Sequence, residues 1–271
     1  MSYVTTTVDE RGVATLVIDH PPINLMTLDV FVELLTTGTA LAADADVRAV
    51  VLRSASADWF IAHFDIEAIL AMSPAETPPT ELHAFHQMCE SFRTMPKPTI
   101  AVIEGRVGGG GSELATSCDM RFATPGAVLS QPEVALGIIP GGSGTVRLPR
   151  LVGRGPAMEI ILGCDDVDAS TAERWGWVNR VLPADEIGAF VDRLCGRIAS
   201  FPAHAVAAAK ASVLRAEAGI EEHLLAEAAA FDTTLGSDET QAAMRTFLER
   251  GGQTSDVERG LGEFAGRFRD S

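Results

Sequence analysis

The chain has 271 residues, 46% of them hydrophobic, and its 37 acidic and 21 basic side chains give a formal net charge of −16. That length and composition build a globular protein around one large core and exclude a disordered one. The acidic balance repels a nucleic-acid backbone and an anionic lipid surface alike, so neither nucleic acid nor membrane is expected as a partner.

The opening residues, MSYVTTTVDERG, place acidic side chains where a signal peptide needs an apolar run. No stretch of about 18 apolar residues follows that would span a bilayer. Cys89, Cys118, Cys164 and Cys195 are widely spaced and form no C-x-x-C pair, so they read as buried free thiols of a cytoplasmic protein. YVTTTVD and VATLVID, split by Arg11-Gly12, predict a β-hairpin. Apolar residues at helical spacing predict a helix from Thr27 to Ala43 with Thr27 as its cap, and VRAVVLRS predicts a buried strand.

The loop ASADWFIAHFD then leads to a short helix over Ile66 to Met72, and Pro74, Pro78 and Pro79 break the chain before a helix over Glu81 to Arg93. TIAVIEG is a second buried strand, and MRFAT and AVLSQPE read as shorter ones. Strands alternating with helices predict an α/β fold with parallel strands. From about Pro202 onward the pattern is helical throughout, so residues 1–200 are expected to form the α/β core and residues 201–271 a C-terminal helical region.

Between two of these strands lies RVGGGGSELATSCD, Arg106 to Asp119. A phosphate-binding P-loop needs Lys and then Ser or Thr after its last glycine, where this chain has Ser112 and Glu113. The dinucleotide pattern G-x-G-x-x-G fails at its third glycine, which is Leu114. Two readings remain. The glycines and the following helix start could present free N–H donors to a single oxyanion, with Glu113 beside it to move a proton. Alternatively, they could serve tight packing and leave Glu113 exposed.

A second carboxylate favours the first reading. Glu133 lies in SQPEVALGIIPGGSGTVRLPRLVG, and the whole stretch IEGRVGGGGSELATSCDMRFATPGAVLSQPEVALGIIPGGSGTVRLPRLVG resembles the enoyl-CoA hydratase/isomerase (crotonase) family. The matching features are G-G-x-E-L-A-x-x-C-D, Q-P-E-x-x-L-G-x-x-P-G and G-T-x-R-L-P-R-x-x-G, and the resemblance runs from about Val4 to Phe247. It implies a crotonase-like spiral of β-β-α turns with a helical C-terminal region involved in trimerisation, and a homotrimer or a dimer of trimers. It also implies a coenzyme A thioester substrate and reversible addition of water to a 2-enoyl-CoA. An isomerase of the same fold and a catalytically idle acyl-CoA-binding scaffold are the alternatives.

By residue match, Glu113 and Glu133 take the catalytic positions and the backbone N–H groups of Ala62 and Gly110 form the oxyanion hole. Glu133 is expected to supply the C2 proton and Glu113 to activate the water. Gln131 and Gly141 match positions beside the second glutamate, with the Gly141 N–H helping to hold the water. Pro22 to Asn24 match the segment lining the adenine end of coenzyme A. His63 departs from the family's usual glycine, so it lines the pocket wall or contacts the substrate. Asp65 is a candidate for the substrate side of the same loop and for the cap of the helix beginning at Ile66.

Neither His63 with Asp65 nor His83, His86 and Glu90 makes a closed ligand set by spacing, so no metal is expected. No cofactor is expected either, coenzyme A being part of the substrate. PGGSGT around Ser143 lacks the G-x-S-x-G order of a nucleophile elbow and reads as a helix start. The helix over Glu81 to Arg93 and the proline-rich loop before it are expected to shape the acyl pocket. Past Phe247 and Arg250 the resemblance weakens, and Phe264 and Phe268, four residues apart, predict a docked helix or an inter-subunit contact.

Overall fold

The predicted hairpin forms from β1 (Val4–Val8) and β2 (Val13–Ile18), which pair antiparallel across a turn with Gly12 at φ +79°. These features come from a computed structural model that describes residues 2–217 and 219–268; Ala218 and residues 269–271 of the expected C-terminal region lie outside it. α1 (Leu28–Ala43) starts where the Thr27 hydroxyl accepts from the Val30 N–H, and it buries Val30, Phe31, Leu34 and Leu41. β3 (Ala49–Ser54) lies parallel to β2. The chain then leaves this sheet, and β4 (Trp59–Ile61) opens a second one.

That order recurs down the chain. After α2 (Ile66–Leu70) and α3 (Ala84–Thr94), β5 (Thr99–Ile103) joins the first sheet and β6 (Arg106–Gly108) the second, followed by α4 (Gly109–Ser117). β7 (Met120–Ala123) and β8 (Val128–Ser130) repeat the division, followed by a 3-10 turn (Glu133–Leu136), α5 (Gly144–Val152) and α6 (Arg154–Gly163). β9 (Val167–Asp168), α7 (Ala169–Trp175) and β10 (Arg180–Val181) complete the sheets.

Among the described residues the resulting orders are β1-β2-β3-β5-β7-β10 and β4-β6-β8-β9, with only the β1–β2 and β8–β9 pairs antiparallel. Parallel neighbours cannot be joined by a hairpin, so each β-β pair is returned by helix and the chain winds as the expected spiral. Two predicted boundaries move. The helix expected from Glu81 starts at Ala84, because the His83 ring takes the cap and accepts from the His86 N–H. The helix expected to reach Met72 ends at Leu70.

α8 (Ala184–Ala199) covers the outer face of the first sheet, setting Ile187, Val191 and Cys195 against Val13, Val51, Ile100 and Phe122. Five more helices follow: α9 (Ala203–Leu214), α10 (Ile220–Leu235), α11 (Asp238–Glu249), α12 (Ser255–Glu258) and α13 (Leu261–Arg267). α13 is a docked helix, since Leu261 and Phe268 join Phe247 in one cluster with Ile66, Ile69 and Leu136 of the same chain. Among the described residues, no helix is long and apolar enough to cross a membrane. All four cysteines are buried and free.

One side chain ties the start of the spiral together. Asn24, at φ +50°, accepts from the His20 N–H through Oδ1 (2.6 Å), while Nδ2 donates to the Ser54 hydroxyl (2.6 Å) and the Phe60 carbonyl (3.2 Å). These bonds spend its buried amide inside the fold, so the side chain itself holds together the segment expected to line the adenine end of coenzyme A. Asn24→Ala strands several buried groups at a backbone angle alanine tolerates poorly. It is expected to lower stability by about 2–3 kcal/mol in denaturant melts, and a change within 0.5 kcal/mol would contradict the clamp.

Candidate active site

β6 ends at Gly108 and α4 begins at Gly109 without an intervening loop, so the glycine run is itself the first turn of a helix. Gly109 has φ +46°, and a Cβ there would stand 2.9 Å from Glu133 Oε1. The N–H groups of this first turn have no acceptor within the helix. Glu113 follows on the same buried helix and is only 4% exposed, which rules out the exposed, packing-only alternative. Its Oε1 accepts from the N–H groups of Gly142 and Gly144, each at 2.8 Å.

Glu133 opens the 3-10 turn after Pro132. Its Oε1 accepts from Gln131 Nε2 at 3.1 Å, and its Oε2 is buried with no partner in the structure. Gln131 is fully buried and holds this carboxylate from behind. Both glutamates reach one cavity of about 510 Å³, whose wall also includes Gly110, Gly141, His63 and Phe64. The remaining wall is mostly apolar. Met72, Pro79 and Phe85 come from the proline-rich loop and α3, so the segments expected to shape a pocket do line it.

Burial pushes Glu113 up to about 8, with the nearby Glu227 charge adding to the effect. Burial also pushes Glu133 up to about 8, and there Glu113 adds to it. Two carboxyls in this relation titrate as a pair, so near neutrality they retain a proton between them.

Glu227 on α10 had no sequence signal, because a glutamate within AEAAAF looks like an ordinary surface residue of an amphipathic helix. It is 4% exposed and caps α5 from a distance, accepting from Ser143 N–H (2.6 Å), Thr145 N–H (2.8 Å) and the Thr145 hydroxyl. Burial raises it to about 7, against the pull of those donors. His86 Nε2 lies 3.3 Å from its Oε1, and His83 donates through Nε2 to the Gly141 carbonyl at 3.2 Å. α3 and α10 together therefore hold the turn whose N–H groups hold Glu113.

Two expectations need correction here. Ala62 does not offer its N–H to the cavity: that group donates to the Ile23 carbonyl at 3.3 Å, and the residue packs against Ile23 and Trp59 outside the cavity wall. Sheet-side packing claims this donor, whereas Phe64, two residues on, lines the cavity and its N–H has no hydrogen-bond acceptor among the described residues. Asp65 is a cap, with Oδ1 accepting from Glu67 N–H (3.0 Å) and Gln253 Nε2 (3.1 Å). Gly141 lines the cavity, and in the same turn the next residue, Gly142, donates its N–H to Glu113.

His63 lines the cavity without adopting a left-handed backbone, so the non-glycine residue costs no such strain. Its Nδ1 lies 2.8 Å from the Phe64 carbonyl and its Nε2 3.1 Å from Glu258 Oε1. Among the described residues, no group of three or more His, Cys, Asp or Glu side chains is placed to hold a metal ion.

The raised carboxyls have a measurable consequence. An unfolded glutamate titrates near 4.5, so between there and about 8 the folded state keeps protons that the unfolded chain releases. Their contribution to stability is complete below about pH 4.5 and is lost as pH rises towards about 8. Glu113→Gln keeps an acceptor for Gly142 and Gly144 but carries no charge. It is expected to exceed the wild type in stability by on the order of 2 kcal/mol at about pH 9 and to match it near pH 5. Thermal melts at both pH values check this, and a gap independent of pH would contradict it.

Comparison with known proteins places this geometry in a lineage. The sequence pattern of the enoyl-CoA hydratase/isomerase family matches residues 9–255. A crotonyl-CoA hydratase of Syntrophomonas wolfei is 35% identical over 244 residues, which cover 89% of this chain and 93% of that protein. A crystal structure from Streptomyces avermitilis, assigned as an enoyl-CoA hydratase, superposes with a TM-score of 0.89 at 36% identity over 98% of both chains. An enoyl-CoA hydratase structure from Mycobacterium avium gives a TM-score of 0.80 at 25% identity, over 90% of this chain and 98% of that one. The chain belongs to the enoyl-CoA hydratase/isomerase family.

Proposed function

We propose that the protein catalyses reversible addition of water to the double bond of a 2-enoyl-CoA thioester. The observation that carries this reading is the placement of two buried carboxyls, Glu113 and Glu133, on one mostly apolar cavity beside unspent N–H donors. The thioester oxygen sits between the N–H groups of Gly110 and Phe64. These residues are close neighbours, since a Cβ on Gly110 would lie 3.2 Å from Phe64 Cβ. As water attacks C3, charge builds on that oxygen as an enolate, and each preorganised donor stabilises it by roughly 3 kcal/mol.

The hydrogen bonds support a division of labour between the glutamates. Two N–H donors on Glu113 Oε1 favour its ionised form, which suits the base that takes a proton from water. Glu133 has an oxygen with no partner, which suits the carboxyl that carries the pair's proton to C2. Gln131 keeps Glu133 aimed at the cavity, acting as a positioning residue. The apolar wall supports an acyl chain as the group buried there. The trimer implied by the resemblance has a candidate surface in α9, which buries none of its residues and leaves Val213 71% exposed.

Incubation with crotonyl-CoA tests the reading through the ultraviolet band of the conjugated thioester, which is expected to disappear. Glu113→Gln and Glu133→Gln are each expected to cut kcat by about 10²–10⁴-fold. Full activity in both variants would contradict the mechanism. Turnover of a 3-enoyl-CoA alone would indicate an isomerase instead, and thioester binding without turnover would indicate a scaffold.

A further inference from the structure

His63 and Glu258 form a buried pair that joins the oxyanion loop to the far end of the chain. Glu258, at the end of α12, is fully buried, and its Oε1 accepts from the Gln253 N–H at 2.8 Å as well as facing His63 Nε2. The segment around it clips onto the loop at several points. Gln253 Oε1 accepts from the Ile66 N–H at 2.6 Å, and its Nε2 donates to Asp65. The Arg259 carbonyl accepts from Arg106 Nη2 at 2.8 Å, and the Arg259 guanidinium reaches Asp58 at 3.1 Å.

The protonation of His63 follows from what its partners can do. A carbonyl only accepts, so Nδ1 carries a hydrogen; a second hydrogen lies between Nε2 and Glu258 Oε1, and the opposed shifts of the two groups put it on the ring. The ring is then an imidazolium. Burial opposes that charge, but Glu258 outweighs it and holds the histidine above its usual range, while His63 holds Glu258 below the usual carboxylate range against its own burial.

The other charged and titratable groups nearby are accounted for. Glu133 faces His63 from the 3-10 turn, with Glu113 of α4 coupled behind it. Arg106 of β6 faces Glu258 but is paired bidentately with Asp166 (2.6 and 2.7 Å). Asp65 is spent on Gln253 and the α2 cap, and burial keeps Cys164, near Glu133, a neutral thiol.

We propose that Glu258 is a positioning residue for the reaction, holding the His63 imidazolium against the loop that carries the Phe64 N–H and opposite the Glu133 carboxyl. This rests on the hydratase reading given above. The C-terminal segment thereby supplies the counter-ion for a positive charge that faces the proton-transferring pair. That charge makes the Glu133 proton easier to release to C2, and the Nδ1 bond to the Phe64 carbonyl fixes the turn in which the donor N–H lies.

The test combines histidine-ring NMR with a double-mutant cycle. In the wild type, the ring signal that disappears in His63→Gly is expected to report an imidazolium at a pH where an ordinary histidine is already neutral, and Glu258→Gln to convert it to the neutral ring. With crotonyl-CoA as substrate, Glu258→Gln is expected to lower kcat roughly tenfold with little change in KM. The bell of kcat/KM against pH is expected to move to higher pH, because the shared proton is held more tightly without the facing cation. Glu258→Asp, which keeps the charge, is expected to recover most of the loss. In a His63→Gly background, Glu258→Gln is expected to cause no further loss and no alkaline movement. A neutral His63 in the wild type would overturn the proposal, whether or not the protein hydrates crotonyl-CoA. Equal losses from Glu258→Gln in both backgrounds would overturn it as well. Absence of hydration by the wild type, with His63 charged as expected, would instead count against the hydratase reading.

Discussion

Burying Glu113 is the constraint from which much of the surrounding structure follows. A carboxylate removed from water must find donors, and Glu113 finds them in the N–H groups of Gly142 and Gly144. Those groups point inward only while the turn before α5 is held open, and that turn has its own unmet needs. Glu227 meets them by accepting from Ser143 and Thr145, and His83 donates to the Gly141 carbonyl. One buried charge thus recruits a second buried carboxyl from α10 and a histidine pair from α3. Side chains at Gly142 would not fit this arrangement, since a Cβ would lie 2.6 Å from Glu113 Oε2 and 2.2 Å from the Phe85 ring.

The same economy shapes two sides of the cavity. On one side, the Phe64 N–H is left over because the bridge to Met26 is made by the His63 carbonyl and the Asp65 N–H, and Gly110 sits in the first turn of α4, whose N–H groups have no acceptor within the helix. On the other side, Glu133 is held by Gln131 and faced by the His63 ring, whose partner Glu258 arrives from the last part of the chain. Each arrangement costs stability, since charges and polar groups are kept away from water. The apolar clusters around them offset that cost, with Phe247, Leu261 and Phe268 closing the cavity on the tail side.

The spiral and the meeting of Glu113 and Glu133 on one cavity were legible in the sequence because they lie in one continuous stretch where glycine placement and helix starts are local properties. The register of the loop that carries Ala62 and Phe64 was not. Ala62 and Phe64 differ in which N–H the fold has already used, and the Ile23 carbonyl that takes the first belongs to a distant loop. Asp65 could be read as a cap from its position before Ile66, yet its second bond to Gln253 spans 188 residues. Glu227 and Glu258 were invisible for the same reason. Each sits in a helical pattern where glutamate normally faces water, and each meets its partner only after the chain has folded back.

This cavity is proposed to polarise a thioester carbonyl through two backbone donors while a pair of glutamates handles the protons. This can be tested most directly in a protein that binds but does not turn over. With Glu113 and Glu133 both replaced by Gln, an arylacryloyl-CoA thioester should bind, and its carbonyl stretching band should move to lower frequency than in water. Its ultraviolet absorption should move to longer wavelength at the same time. A bound thioester with both bands unchanged from solution would contradict the account.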